Sequence, residues 1–109
     1  MNKNVTIVYE KIMGVVAEEF DMPPQRVLHC NELECVQART VLYVALHDRG
    51  LSDAEIAQCC GVLRESVNRA RNHYREAYAP WLVRMCLEKI KGLGLDKDGC
   101  RYYICNSNV

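Results

Sequence analysis

Apolar residues recur at three- and four-residue steps along most of this chain. From Asn4 to Phe20, Val5, Val8, Ile12, Val15 or Val16, and Phe20 fall on one face of a helix. Glu10, Lys11, Glu18 and Glu19 take the other face. Asp21 and the run Met22-Pro23-Pro24 end that helix. A short helical turn follows, opened by Pro23 or Pro24, with Val27 and Leu28 inward. Between Glu32 and Asp48, Leu33, Val36, Thr40, Val41, Val44 and Ala45 keep the helical period. Leu42, Tyr43 and Leu46 widen the stripe until it covers most of the girth, which predicts a central helix. Arg49-Gly50 stops it, because glycine takes the left-handed cap conformation without penalty.

The next stretch, SDAEIAQCCGVLRESVNRAR, begins as a helix, breaks at a glycine and begins again. Ser52 and Glu55 form a Ser-x-x-Glu capping box. Ile56, Cys59 and Cys60 supply the buried side, and Gly61 ends the helix. A second helix runs from Arg64 to Tyr78, with Val67, Ala70, Tyr74 and Ala77 or Tyr78 inward. Pro80 opens a further helix in its first turn, carrying Trp81, Leu82, Met85, Cys86 and Ile90 to Gly92. From Gly94 to Val109 the pattern changes. An Asp98-Gly99 turn signal precedes Arg101-Tyr102-Tyr103-Ile104-Cys105, which has strand composition and predicts a short hairpin or an extended tail.

These elements describe an all-α bundle of five to six helices. The 109 residues form one domain, with a helix-turn-helix unit over 52–78 and a terminal helix and tail over 80–109. The two-helix unit is specific in its spacing. Ala57 is small where the second helix crosses close, Gly61 occupies the turn, and Val67 anchors the second helix. Ile56, Cys60, Val62 and Ala70 complete the apolar contact between the two helices.

Charge adds to this picture. The chain has 14 basic and 14 acidic residues and no net charge, so any attraction to a polyanion must be local. Met1 to Val62 carries 5 Lys/Arg against 9 Asp/Glu, whereas Leu63 to Lys91 carries 7 against 3. The basic excess falls on the second helix of the pair, which points to double-stranded DNA as the partner. A helix of this kind enters the major groove with its N-terminal residues at the base edges. The outward candidates for base contact are Leu63, Arg64, Glu65, Asn68, Arg69 and Asn72. Arginine pairs bidentately with guanine and asparagine with adenine; Glu65 accepts from cytosine or holds Arg69 at i+4; Leu63 meets a thymine methyl. Ser52, Arg71 and Arg75 are the candidates for phosphate, Ser52 because it opens a helix N-terminus. His73 belongs to solvent or to a phosphate.

The segment from Val5 to about Arg75 resembles the C-terminal, DNA-binding domain of the bacterial replication initiator DnaA. The resemblance rests on "VVAEEFDMPPQRVL", "ARTVLYVALHDRGLS" and "AEIAQCCG". That family continues with a signature close to G-G-R-D-H-T-T-V. This chain reads Cys60-Gly61-Val62-Leu63-Arg64-Glu65-Ser66-Val67, one residue shorter in the turn and without the His-Thr-Thr. The family's basic loop before the long helix is replaced by "HCNELECVQAR", with two acids and one arginine, Arg39. The resemblance therefore implies a helical fold with a related DNA-binding unit, and not the initiator's own site recognition. The turn region is also similar to the DNA-reading region of sigma factors. No G-x-x-x-x-G-K-[ST] loop accompanies it, so an initiator's ATPase part is absent from the sequence. The expected role is transcription regulation, or DNA replication of an accessory element. The alternative is a non-enzymatic protein-interaction module that docks on a polymerase or initiator.

Seven cysteines make an odd count, which fits a closed disulfide framework poorly. There is no signal-peptide run at the N-terminus and no membrane-length apolar stretch, so a cytoplasmic protein with free thiols is expected. Cys30-x4-Cys35 and Cys100-x4-Cys105 repeat a spacing at the edge of the zinc range, with His29 and His47 near in sequence. Adjacent Cys59 and Cys60 cannot face one site, and Cys86 lies on an apolar face, so no metal and no cofactor is expected. No catalytic signature surrounds any cysteine, and no enzymatic activity is expected. The helix over 80–91 has two readings: a homodimer interface, or a segment that wraps back to complete a small core.

Overall fold

The protein is described here by a computed structural model over residues 3–75 and 79–93. Among these residues the chain is all-α, with α1 Lys3–Glu19, α2 Pro24–His29, α3 Leu33–Asp48, α4 Asp53–Cys60, α5 Arg64–His73 and α6 Trp81–Lys91. None of these helices is long and apolar enough to cross a membrane. The proposed hairpin or tail over Gly94–Val109 lies outside the described residues.

Helix α3 is the hub. Its buried residues Cys35, Ala38 and Val41 through Leu46 face α1, α2, α4, α5 and α6 in turn. A helix apolar on nearly all sides is stable only in such a central position. Around it, α1 contributes Val5, Val8, Ile12 and Val16, followed by Phe20 in the turn after it, all buried, and α6 contributes Val83, Cys86, Leu87 and Ile90. The reading of α6 as a segment that completes the core therefore holds for this face.

Three helices end in the same device. The Leu51 N–H donates to Leu46 O with Gly50 at φ 98°, and the Val62 N–H donates to Ala57 O with Gly61 at φ 68°. At the end of α1 the Met22 N–H donates to Ala17 O, with Asp21 at φ 52°. Each is a left-handed cap that satisfies terminal carbonyls, and a short polar side chain such as aspartate tolerates it better than most residues do. The capping box forms as read from the sequence: the Glu55 N–H donates to Ser52 Oγ at 3.1 Å, and the Ser52 N–H donates to Glu55 Oε1 at 2.9 Å.

Four expectations are corrected. Helix α5 ends at His73 instead of running on through Tyr74, because Tyr74 adopts an extended backbone (ψ 132°); the expected inward placement of Ala77 or Tyr78 lies outside the described residues. The Arg75 guanidinium donates to Asn72 O and Tyr74 O there, taking up carbonyls the helix leaves open. Pro80 is the N-cap of α6 rather than part of its first turn. Leu33 and Val36 were expected inward, yet they are 72% and 41% exposed, because the inward line of the first turns of α3 runs through Cys35 and Ala38. Trp81 and Met85 were likewise expected inward, but the inward line of α6 runs through Val83, Cys86, Leu87 and Ile90.

Candidate nucleic-acid interface

The pair α4–α5 is joined by Gly61, Val62 and Leu63, and its inner surface is made by Ile56, Ala57, Cys60 and Val67, all buried. Val62 and Ala70 are partly buried against the same cluster. With Val67 fully buried, the opposite side of α5 is forced outward. Leu63, Arg64, Glu65, Asn68, Arg69 and Asn72 are all exposed, and Arg64, Glu65, Asn68, Arg69 and Asn72 share one open face, with Leu63 at the N-cap of the helix.

A carboxylate that the sequence reading did not single out organises this face from below. Asp53, in the first turn of α4, accepts from Arg71 Nε at 2.9 Å and from Arg71 Nη2 at 3.0 Å. Its Oδ2 also accepts from Asn68 Nδ2 at 3.0 Å, and Asn72 Nδ2 in turn donates to Asn68 Oδ1 at 3.0 Å. The Asp53 and Arg71 side chains are only 15% and 23% exposed. The hydrogen bonds from Arg71, ahead of that from Asn68, hold the Asp53 carboxyl down at about 2, against the opposing effect of burial. This two-pronged bond locks α5 onto α4, and such a pair is both strong and directional. Eighteen residues separate its partners, so no local sequence pattern announces it.

The lock engages two of the candidates within the protein. Arg71, expected at a phosphate, instead directs its guanidinium fork at Asp53. Asn68, expected at a base, has its amide nitrogen on Asp53 and its carbonyl oxygen on Asn72. By contrast, Arg64 and Arg69 have no ion-pair partner among the described residues, and Glu65 does not pair with Arg69 despite the permissive spacing. Asn72 itself donates through Nδ2 to Asn68, and its backbone carbonyl accepts from Arg75.

The candidate phosphate contacts at the two ends of the pair are also partly engaged. The Ser52 N–H is held by Glu55 and its Oγ accepts from the Glu55 amide, which leaves the hydroxyl proton as donor. Arg75 uses Nη1 on two backbone carbonyls and is exposed, with its other nitrogens available. The segment before α3 and the first turns of α3 offer little free cation. Arg39 donates to Val27 O, Leu28 O and Cys30 O at 2.8–3.3 Å, and Arg26 pairs with Glu32 at 3.1 Å. Beside α5 an open cleft of about 560 Å³ brings His29 and Asn31 opposite Ser66, Arg69 and His73. His73 was placed near phosphate or solvent by its position on the basic helix; His29 and Asn31 come from another element, so sequence spacing could not bring them here.

Burial pushes the Cys60 and Cys86 thiols up to about 12, and it raises those of Cys35 and Cys59. These side chains serve as small apolar core residues rather than thiolate nucleophiles. Among the described residues no three His, Cys, Asp or Glu side chains converge in a way that could hold a metal ion. No family model matches the chain, and no curated protein or solved structure matches it either.

Proposed function

We propose that this protein binds double-stranded DNA with sequence preference, laying the outward face of α5 in the major groove. The observation that carries this reading is the division of labour on α5. One arginine, Arg71, anchors the helix, while Arg64 and Arg69 on the same helix stay exposed and without ion-pair partners among the described residues. Free side-chain cations on a helix locked from behind are preorganised for a polyanion, so little ordering has to accompany binding.

In this reading Arg64 and Arg69 address guanine edges, Asn72 an adenine, Glu65 a cytosine amine and Leu63 a thymine methyl. Asn68 shares its amide with the lock, so it orients Asn72 and meets bases only through what remains. Arg75 and the Ser52 hydroxyl lie at the ends of the pair for phosphate contact, and Arg71 acts by positioning the helix. The role fits transcription regulation or replication of an accessory element in the bacterial cytoplasm, in keeping with the resemblance to an initiator's DNA-binding domain.

The test is fluorescence anisotropy with a pool of random duplexes at low and near-physiological salt. Log affinity should fall with log salt by roughly 0.9 for each phosphate contact. On a selected duplex, Arg69→Ala should lose about 1–3 kcal/mol and relax base choice at one position. Equal binding by parent and variant removes the assignment of Arg69. Absence of binding at low salt removes the DNA reading and leaves a protein-interaction module, with the exposed Trp81 as its first surface to probe.

A further inference from the structure

The outward face of α6 sets two large apolar side chains, Trp81 and Met85, among charged ones. Trp81 is 72% exposed and Met85 47%, one helical turn apart, beside a groove of about 300 Å³ that also takes in Val44 and Tyr74. Exposed tryptophan, methionine and arginine together are the composition of interface centres rather than of solvated surface. Arg84 stands on this face with no ion-pair partner among the described residues, and Glu88 makes only a loose 3.6 Å contact with Lys91, both ends well exposed. A single helix face thus carries an apolar centre flanked by a cation, Arg84, and an anion, Glu88, four residues apart, while Asp48 and Lys91 stand at the edges of the same groove.

That arrangement is self-complementary. We propose that a second copy of this chain docks here, α6 against α6, antiparallel about a two-fold axis at the level of Cys86. Such an axis relates residue 84 of one copy to residue 88 of the other. Arg84 then meets Glu88 of the partner subunit, and by symmetry Glu88 meets the partner's Arg84. Met85 packs at the centre, and each Trp81 covers the far end of the partner helix. Charge complementarity selects this occupant: an acidic partner would satisfy Arg84 and repel Glu88, whereas an inverted copy satisfies both. One helix face buries less than the roughly 800 Å² per partner of a standard interface, so a weak, concentration-dependent dimer is expected. The proposal does not depend on DNA binding, although it would set two α5 helices in one particle.

Trp81 is the only tryptophan in the chain, so its emission reads this face directly. Sedimentation velocity and Trp81 emission should be followed on the full chain from about 5 to about 300 μM. The expected result is a doubling of mass with a parallel blue shift. Arg84→Glu alone and Glu88→Arg alone should each stay monomeric where the parent dimerises, because each places like charges opposite one another twice. An equimolar mixture of the two variants should restore the dimer, since both cross pairs become complementary again. A monomer with solvent-exposed emission at every concentration overturns the proposal. So does a monomer whose emission is blue throughout, which would mean that the chain covers its own α6. Self-association that neither variant weakens, or that their mixture fails to restore, also overturns it.

Discussion

Asp53 joins the two helices of the candidate interface at one carboxylate, and its environment makes its contribution dependent on pH. Its pKa is depressed from an ordinary 3.8 to about 2, chiefly by the hydrogen bonds from Arg71. A group whose folded pKa is depressed stabilises above its unfolded value, and that stability is lost as pH falls through the folded one. The window is therefore about pH 4 down to about pH 2. Asp53→Asn keeps the shape but leaves the part-buried Arg71 without its counter-charge. We expect a loss of about 1–2 kcal/mol at pH 7, with the bond's solvent-accessible edge holding it at the low end for a charged hydrogen bond. Urea unfolding at pH 7 and again near pH 2.5 checks this: the gap between variant and parent should narrow in acid. An equal gap at both values would place the effect outside the titration of Asp53.

At the scale of the element, sequence and structure agree best where backbone geometry has a local cause. The box at Ser52 and Glu55, the break at Gly61 and the cap at Gly50 are set by residues within four positions of one another, so they are legible in the sequence. Gly61 permits a sharp test. Its φ of 68° strains any residue with a Cβ, yet no atom lies within 4 Å of where that Cβ would sit. Gly61→Ala should therefore cost about 1–2 kcal/mol, all of it conformational, and leave the packing of α4 on α5 intact. Thermal melts give the magnitude, and an unchanged near-ultraviolet spectrum at low temperature checks that packing survives. A larger loss would mean that the turn is crowded as well as left-handed. Elements misread from the sequence failed for tertiary reasons. Tyr74 keeps the helical register of Val67 and Ala70 and packs on the core, but it does so from an extended backbone. Leu33, Trp81 and Met85 match a helical period and still face solvent, because periodicity cannot say which of two apolar lines meets the hub. The Asp53–Arg71 lock and the cleft across to His29 depend on chain crossings that no spacing encodes.

For the whole molecule, the decisive quantity is where charge lies, since the total is zero. The acidic excess before Leu63 and the basic excess after it meet at α4–α5, where Asp53 neutralises one arginine and leaves two open. Stability and the proposed binding are thereby assigned to different side chains of one helix, and this separation can be measured. Replacing Arg64 and Arg69 together by glutamine removes exposed charge without touching the core or the lock. Surface changes of that kind usually stay within about 0.5 kcal/mol in stability. If the two arginines read bases in the groove, affinity for a selected duplex should fall by about 2–6 kcal/mol in total and discrimination between duplexes should shrink. Non-specific affinity at low salt should fall less, because Arg75 and the backbone contacts remain. Asp53→Asn should show the opposite profile: a clear loss of stability, with a smaller loss of affinity that follows the loosening of α5. Anisotropy and urea unfolding on the same two proteins decide the point. If the double variant unfolds as early as Asp53→Asn does, Arg64 and Arg69 hold the fold and the proposed recognition face is misassigned. If it keeps full stability and loses discrimination, the open arginines are the part of the molecule that faces the duplex.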